Sequence, residues 1–359
     1  MFVREARLQN LRSRRTLGVG LGPGLTILVG PNGAGKTTVL EALALVLVGI
    51  PLRATAIRDL ITRGQDHLRV ELDLERAGSI ITAAAAYSRG GERRLTADGA
   101  VLDDNERWRG LLPVRTFVPD DLRLIKGSPK RRREYLDTLA TRREPGYARD
   151  LGQYEEALTQ RNALLRSSRV AADSPQFTPW EAILAQAGIQ ICRWRAATLS
   201  AFIESFQQTH AALTGDAPDT LHLSYRTNIA DLDEEAYRDR LAEMRTADRQ
   251  RTYTHLGPHR DDLRLVRDGL DVRDCASQGE QRAALLTLVL AEWRYQCEND
   301  RCPLLLLDDV MSELDETRRR ALVGYVSQNG QVVVTTTDLR YFTDDELHKA
   351  TVVELVAEE

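Results

Sequence analysis

Residues 30–37 read Gly30-Pro31-Asn32-Gly33-Ala34-Gly35-Lys36-Thr37, which satisfies the spacing G-x-x-x-x-G-K-[ST]. Glycines at those positions let backbone N–H groups curl around phosphate oxygens, and a helix opening near Lys36 adds its positive end. Lys36 can then reach the β and γ phosphates, the Thr37 hydroxyl can ligate Mg²⁺, and Thr38 follows in the same turn. The chemistry is capture of a nucleoside triphosphate. The loop alone fits a kinase, a GTPase or a pump.

A second cluster is the run LLLLDD at 304–309. Four leucines predict a buried strand, and Asp308 emerges at its carboxyl end, where α/β ligand sites lie. Asp308 can hold Mg²⁺, directly or through water, and Asp309 can polarise an attacking water. The third cluster, Ser277-Gln278-Gly279-Glu280-Gln281, precedes the apolar run AALLTLVLAEW. A hydroxyl and a close-approach glycine at a helix start suit a γ-phosphate.

These groups need strands that end at one edge. LTILV (25–29) reads as the strand before the loop, and TVLEALALVLV as the helix after it. RVELDLE (69–75) alternates apolar and charged residues like a half-buried strand, and IITAAAAYS is its candidate partner. From about Leu122 the chain becomes basic, and helical patterning dominates to about residue 250. Trp180, Ile183, Leu184, Ala187, Ile191, Trp194, Phe202 and Phe206 fall mainly at spacings of three and four, the core face of a helix. AADSPQFTP (171–179) reads as a loop. Strand-like sequence returns with DDLRLVRDG, LLLLDD and QVVVTTT. The reading is an α/β protein: a mixed sheet with the phosphate loop, an antiparallel β subdomain, and a mostly helical insertion. Its expected parts are 1–122 and 253–359 as two halves of one domain, with 123–252 as the inserted lobe.

The 359 residues suffice for more than one lobe, and 42% hydrophobic with 28% charged residues is a globular balance, not a disordered one. A net charge of −4 means that any nucleic acid must be met by a local patch. Between Arg123 and Arg143 there are eight basic residues against Glu134 and Asp137. Lys126, Lys130, Arg131, Arg132 and Arg133 are the candidate phosphate contacts, which would bind with strong salt dependence and little regard for sequence. A solvated helix face or intramolecular ion pairs would also account for any one of these arginines. No aromatic-rich platform for stacking single strands is legible. Cys192, Cys275, Cys297 and Cys302 form no C-x-x-C pair and are expected as reduced, packed thiols. MFVREARLQNLRSRR lacks a signal-peptide core, and VLEALALVLVGI carries Glu41 and is too short to span a bilayer, so a cytoplasmic protein without a membrane partner is expected.

Ser277–Gln281 followed by Arg282, together with SELD (312–315) just after LLLLDDVM, resembles the signature motif and D-loop of ATP-binding-cassette ATPases, with Ser312 and Asp315 as the D-loop residues. In that superfamily two heads dimerise head to tail, and each signature serine caps ATP held by the other head. The resemblance implies an ABC-type ATPase head, ATP and Mg²⁺ as cofactors, catalytic roles for Lys36, Asp308 and Asp309, and an ATP-dependent homodimer. Three departures put fast hydrolysis in doubt. The usual switch histidine is replaced by Thr335, Thr336, Thr337 and Asp338. The usual glutamate after the last Walker B aspartate is Asp309. No glutamine in TFVPDDLRLIKGSP answers for the Q-loop.

RLQNLRSRR, FVPDDLRLIKGSPKRRREYLD and GPHRDDL (257–263) resemble, over essentially the full length, the RecF family of bacterial recombination mediators related to SMC heads. An insertion of 130 residues (123–252) is too short for an SMC arm. The resemblance implies binding of double-stranded, single-stranded and gapped or junction DNA, partnership with RecO and RecR, and a nucleoid-associated location. It also implies recombinase loading, replication restart, support of the SOS response, and a slow DNA-stimulated ATPase. Arg12 lies in a loop where related heads contact nucleotide phosphates; His259 reads as structural in preference to a phosphate contact. Two rivals stand beside this reading: the nucleotide-binding subunit of a membrane transporter, and a nucleotide-controlled binding module that hardly hydrolyses ATP.

Overall fold

The computed structural model describes residues 1–52, 56–102, 112–297 and 302–357. The chain divides into two compact units: residues 1–121, 208–218 and 278–359 form the first, and 122–207 with 219–277 the second.

The first unit carries two sheets. One is antiparallel, in the order β2-β1-β4-β5-β6-β7, made of β1 (Phe2–Leu11), β2 (Arg14–Gly20), β4 (His67–Arg76), β5 (Ser79–Ser88), β6 (Arg93–Ala97) and β7 (Ala100–Val101). The other is parallel throughout, in the order β14-β3-β13-β12-β8, made of β3 (Leu25–Val29), β8 (Val114–Phe117), β12 (Leu304–Leu307), β13 (Val332–Thr336) and β14 (Thr351–Glu354). Their sequences explain the difference. β4 alternates buried Leu68, Val70, Leu72 and Leu74 with charged residues, so one face stays wet. β3, β12 and β13 are buried at every position, as strands covered on both faces must be.

Helix α1 (Lys36–Leu47) buries all its residues except Thr37, and its apolar side chains join the core shared by both sheets. One amide stitches the sheets together: the Gln331 carboxamide accepts from the Val3 N–H (2.8 Å) and donates to the carbonyls of Val3 (2.6 Å) and Gly22 (2.7 Å). The unit is completed by α7 (Gln278–Cys297), α8 (Glu316–Val326) and α9 (Asp344–Lys349). Cys297, the last residue of α7, and Cys302, shortly before β12, form a disulfide, whereas all four cysteines were expected as thiols; Cys192 and Cys275 are free. The pairing depends on where α7 ends and β12 begins, which no C-x-x-C spacing betrays.

The second unit contains α2 (Pro129–Arg143), α3 (Tyr147–Arg166), most of α4 (Thr178–Thr214), α5 (Glu234–Glu243) and α6 (Arg245–Arg251). Leu184, Ala187 and Ile191 of α4 are buried with Tyr147, Tyr154 and Tyr237, and Trp180, Ile183 and Trp194 pack against them. The expected loop 171–179 stops early: Pro175–Phe177 is a 3₁₀ turn and α4 begins at Thr178. The unit also holds a three-stranded antiparallel sheet of β9 (Leu221–Arg226), β10 (Asp262–Arg267) and β11 (Leu270–Asp271). The sequence reading missed β9 because LHLSYR lies inside a helical stretch. Its pairing with β10 carries GPHRDDL into this unit, so the division falls after Ser277, not near residue 252.

Candidate functional site

A cleft of about 410 Å³ opens in the first unit, lined by Arg12, Ser13, Asn32, Gly33, Gly35, Lys36, Thr37, Thr38, Asp308, Asp309 and Thr335. Three parallel strands deliver most of it. β3 feeds the loop 30–35 into the N-terminus of α1, β12 ends at Leu307 just before Asp308, and β13 ends at Thr335 and Thr336. Sequence reasoning predicted the loop and both aspartates, and the fold brings them together.

The loop has the backbone a phosphate cradle requires. Gly33 and Gly35 adopt φ of 85° and 83°, the left-handed region that glycine enters freely. A Cβ at Gly35 would stand 2.7 Å from Arg14 Nε, so that position tolerates no side chain. Lys36 Nζ donates to the carbonyls of Gly30 (2.6 Å) and Pro31 (2.9 Å), folded back along the loop it would leave to meet phosphate oxygens. Burial pushes the Lys36 ammonium below the ordinary lysine value, while Asp309 and Asp308 hold it up.

The carboxylates are organised differently. Thr37 Oγ1 lies 3.1 and 3.2 Å from the two oxygens of the buried Asp308. Thr335 Oγ1 donates to Asp308 Oδ1 at 2.8 Å and accepts from the Asp309 N–H at 2.9 Å. Asp309 takes a left-handed φ of 52°, and its buried Oδ1 has no hydrogen-bond partner. This donor set suits Mg²⁺, which favours hard oxygens and is held through one or two carboxylates plus substrate phosphates. Among the described residues no cluster of three or more His, Cys, Asp or Glu could hold a metal without such help. Thr37 and Asp308 would hold the ion, and the ion would neutralise charge on the phosphates.

Arg12 lines the cleft with its Nε 2.5 Å from Oε2 of Glu41, a fully buried residue of α1. Arg14 reaches under the loop to donate to the carbonyls of Ala34 and Val356. Sequence reasoning missed Ser13, Arg14 and the role of Glu41, since only the return of the N-terminal hairpin to α1 reveals them.

Ser277, Gln278 and Gly279 are exposed where α7 begins, whereas Glu280 is half-buried and Gln281 buried. Gln278–Gln281 do not line the cleft of their own chain. Arg282 in the following turn lies 3.4 Å from Glu313 of the SELD segment. Burial raises the Glu313 pKa; Arg282 opposes the shift and Asp309 adds to it. Ser312 Oγ donates to Asp309 O (2.9 Å), and the Asp315 carboxylate accepts from the Arg318 N–H as the N-cap of α8.

The expected DNA contacts divide. Lys126, Lys130 and Arg131 are exposed. Arg132 is not: it is buried, forks onto Asp262 at 2.7 and 3.0 Å, and donates to the carbonyls of Ile125 and Gly127. Its place in the patch is corrected, because a buried guanidinium that spends four of its five N–H donors on internal acceptors is turned away from phosphate. Arg133 is half-buried and donates to Asp261 O at 2.8 Å, so it too turns inward. His259 is a structural residue, bonded to the Tyr154 hydroxyl at 2.6 Å and Thr254 O at 2.8 Å. Burial pushes its pKa down to about 4.

No helix among the described residues is long and apolar enough to cross a membrane. The RecF/RecN/SMC N terminal domain family matches residues 2–356. "DNA replication and repair protein RecF" of Gloeobacter violaceus is 34% identical over 98% of this chain and 96% of its own length. The RecF protein of Moorella thermoacetica is 36% identical over 94% of this chain and 90% of its own. The structure of the recombination mediator protein RecF-ATP in the RecFOR pathway superposes with a TM-score of 0.77 at 27% identity, covering 94% of this chain and 92% of that one. An SMC head bound to the C-winged helix domain of ScpA shares the fold, with a TM-score of 0.60 at 15% identity over 99% of this chain and 94% of that one.

Proposed function

The chain belongs to the RecF/RecN/SMC N terminal domain family and, within it, to the RecF proteins of DNA replication and repair, and on that premise we propose that it is an ATP-dependent recombination mediator that closes on DNA as a homodimer. The observation that carries this reading is the meeting of Lys36, Thr37, Asp308 and Asp309 in one cleft that Gln278–Gln281 of the same unit do not line.

Gly30–Lys36 would wrap the phosphates of ATP with backbone N–H groups, and Thr37 and Asp308 would orient the metal side. Asp309 would accept a proton from the attacking water. Ser277 of a second copy would cap the γ-phosphate, so binding energy is realised only when two heads meet. Closure would then depend on ATP, and slow hydrolysis would reopen the dimer. Lys126, Lys130 and Arg131 would bring two basic patches to one duplex or gapped junction, and DNA held there would stimulate turnover. Action with RecO and RecR, loading of recombinase, replication restart and the SOS response follow from the family.

Sedimentation of the purified chain with ATP, Mg²⁺ and defined DNA junctions tests the reading. The expected result is a dimer with ATP that sediments with DNA. A monomer at saturating ATP would overturn it. A single-turnover assay with and without DNA separates a slow ATPase from a switch that does not hydrolyse.

A further inference from the structure

Thr335 is fully buried, yet it borders the cleft and commits one hydroxyl twice. A threonine hydroxyl has a single hydrogen to give. That hydrogen goes to Asp308 Oδ1, and a lone pair takes the Asp309 N–H. The neighbouring β13 positions, Val332, Val333 and Val334, are apolar and equally buried. Valine would fill the same volume at 335, so packing does not explain a hydroxyl. Thr336 is polar for another reason: it closes the following turn onto the backbone of Asp338.

We infer that Thr335 is the positioning residue that assigns the two adjacent aspartates their separate tasks. Through its donated bond it fixes Asp308 against Thr37. Through its accepted bond it holds the Asp309 backbone in the left-handed conformation that leaves Oδ1 without a partner. That conformation is unfavourable for a non-glycine residue, so it persists only where its surroundings hold it. The inference rests on the nucleotide reading above. The Thr335 hydrogen is already given to Asp308, so the residue orients carboxylates.

The test compares Thr335→Ser, which keeps both bonds, with Thr335→Val, which keeps the shape and loses both. Affinity for a fluorescent ATP analogue is measured in EDTA and across a Mg²⁺ titration, followed by single-turnover hydrolysis. For Val we expect unchanged affinity in EDTA, a Mg²⁺ requirement raised about tenfold, and hydrolysis slowed about tenfold or more, the worth of one charge-assisted hydrogen bond. Ser should restore both to within about threefold, because its hydroxyl offers the same donor and acceptor. If Val is unfolded by circular dichroism, Thr335→Cys, with its weaker donor and acceptor, takes its place. Wild-type Mg²⁺ dependence and hydrolysis in the folded variant, with ATP binding intact, would overturn the inference and leave the nucleotide reading standing. A wild-type chain that binds no ATP would overturn both.

Discussion

The Thr37 hydroxyl and the Asp308 carboxylate, 271 residues apart, meet at 3.1 and 3.2 Å. One belongs to the helix after the phosphate loop and the other to the end of a leucine strand. Their meeting sets side by side the two residues that would hold Mg²⁺.

Replacing Lys36 with methionine removes the only cation lining the cleft besides Arg12 among the described residues. Nucleotide affinity should fall about 100-fold, matching loss of a charged contact worth up to ~3 kcal/mol. Equilibrium binding of a fluorescent analogue measures it, and ATP-dependent dimerisation should vanish in sedimentation.

Ser277→Arg should leave nucleotide affinity within about twofold, since Ser277 is an exposed residue whose change costs little. Dimerisation should be lost. A variant that still dimerises with ATP would remove Ser277 from the trans site.

The basic helix makes opposite predictions for neighbouring arginines. The triple change Lys126→Ala, Lys130→Ala and Arg131→Ala should flatten the salt dependence of DNA binding by up to ~0.9 per lost phosphate contact, with melting unchanged. Arg132→Ala should instead destabilise the fold by up to about 3–5 kcal/mol, because Asp262 loses its forked partner and keeps only Arg264 at 3.5 Å. Urea melts and salt-titrated binding, run on both variants, check the division.

His259 should register in the acid limb of stability. Burial holds it neutral in the folded chain with a pKa of about 4, against about 6.5 when unfolded. Between those values the unfolded chain binds the extra proton, so stability falls as pH drops from 6.5 towards 4. From pH 7.5 to 4.5 this one group should account for about 2–3 kcal/mol of loss. In His259→Gln the same pH interval should cost that much less, read from urea melts at both pH values.

What could be read from sequence was local. The loop glycines, the leucine strand and the alternation in β4 each state their structure within ten residues. What escaped needed a distant partner. Arg132 looks like Arg131 until Asp262 arrives from 130 residues away. Glu41 looks like an interruption of an apolar helix until Arg12 meets it. The strand LHLSYR is too short to outweigh its helical surroundings until β10 pairs with it.

The placement of β3 bears on how the chain is made. The strand that presents the phosphate loop has β13 and β14 as its neighbours, both from beyond residue 331. The Gln331 amide closes the adjoining seam onto Val3. A ribosome that has released only the first three hundred residues has therefore made the loop without the sheet that holds it. Pairings so distant in sequence form late and slowly. Nucleotide capture thus waits on the strands after residue 331: a chain that stopped before them would carry the motif intact and lack the sheet that presents it.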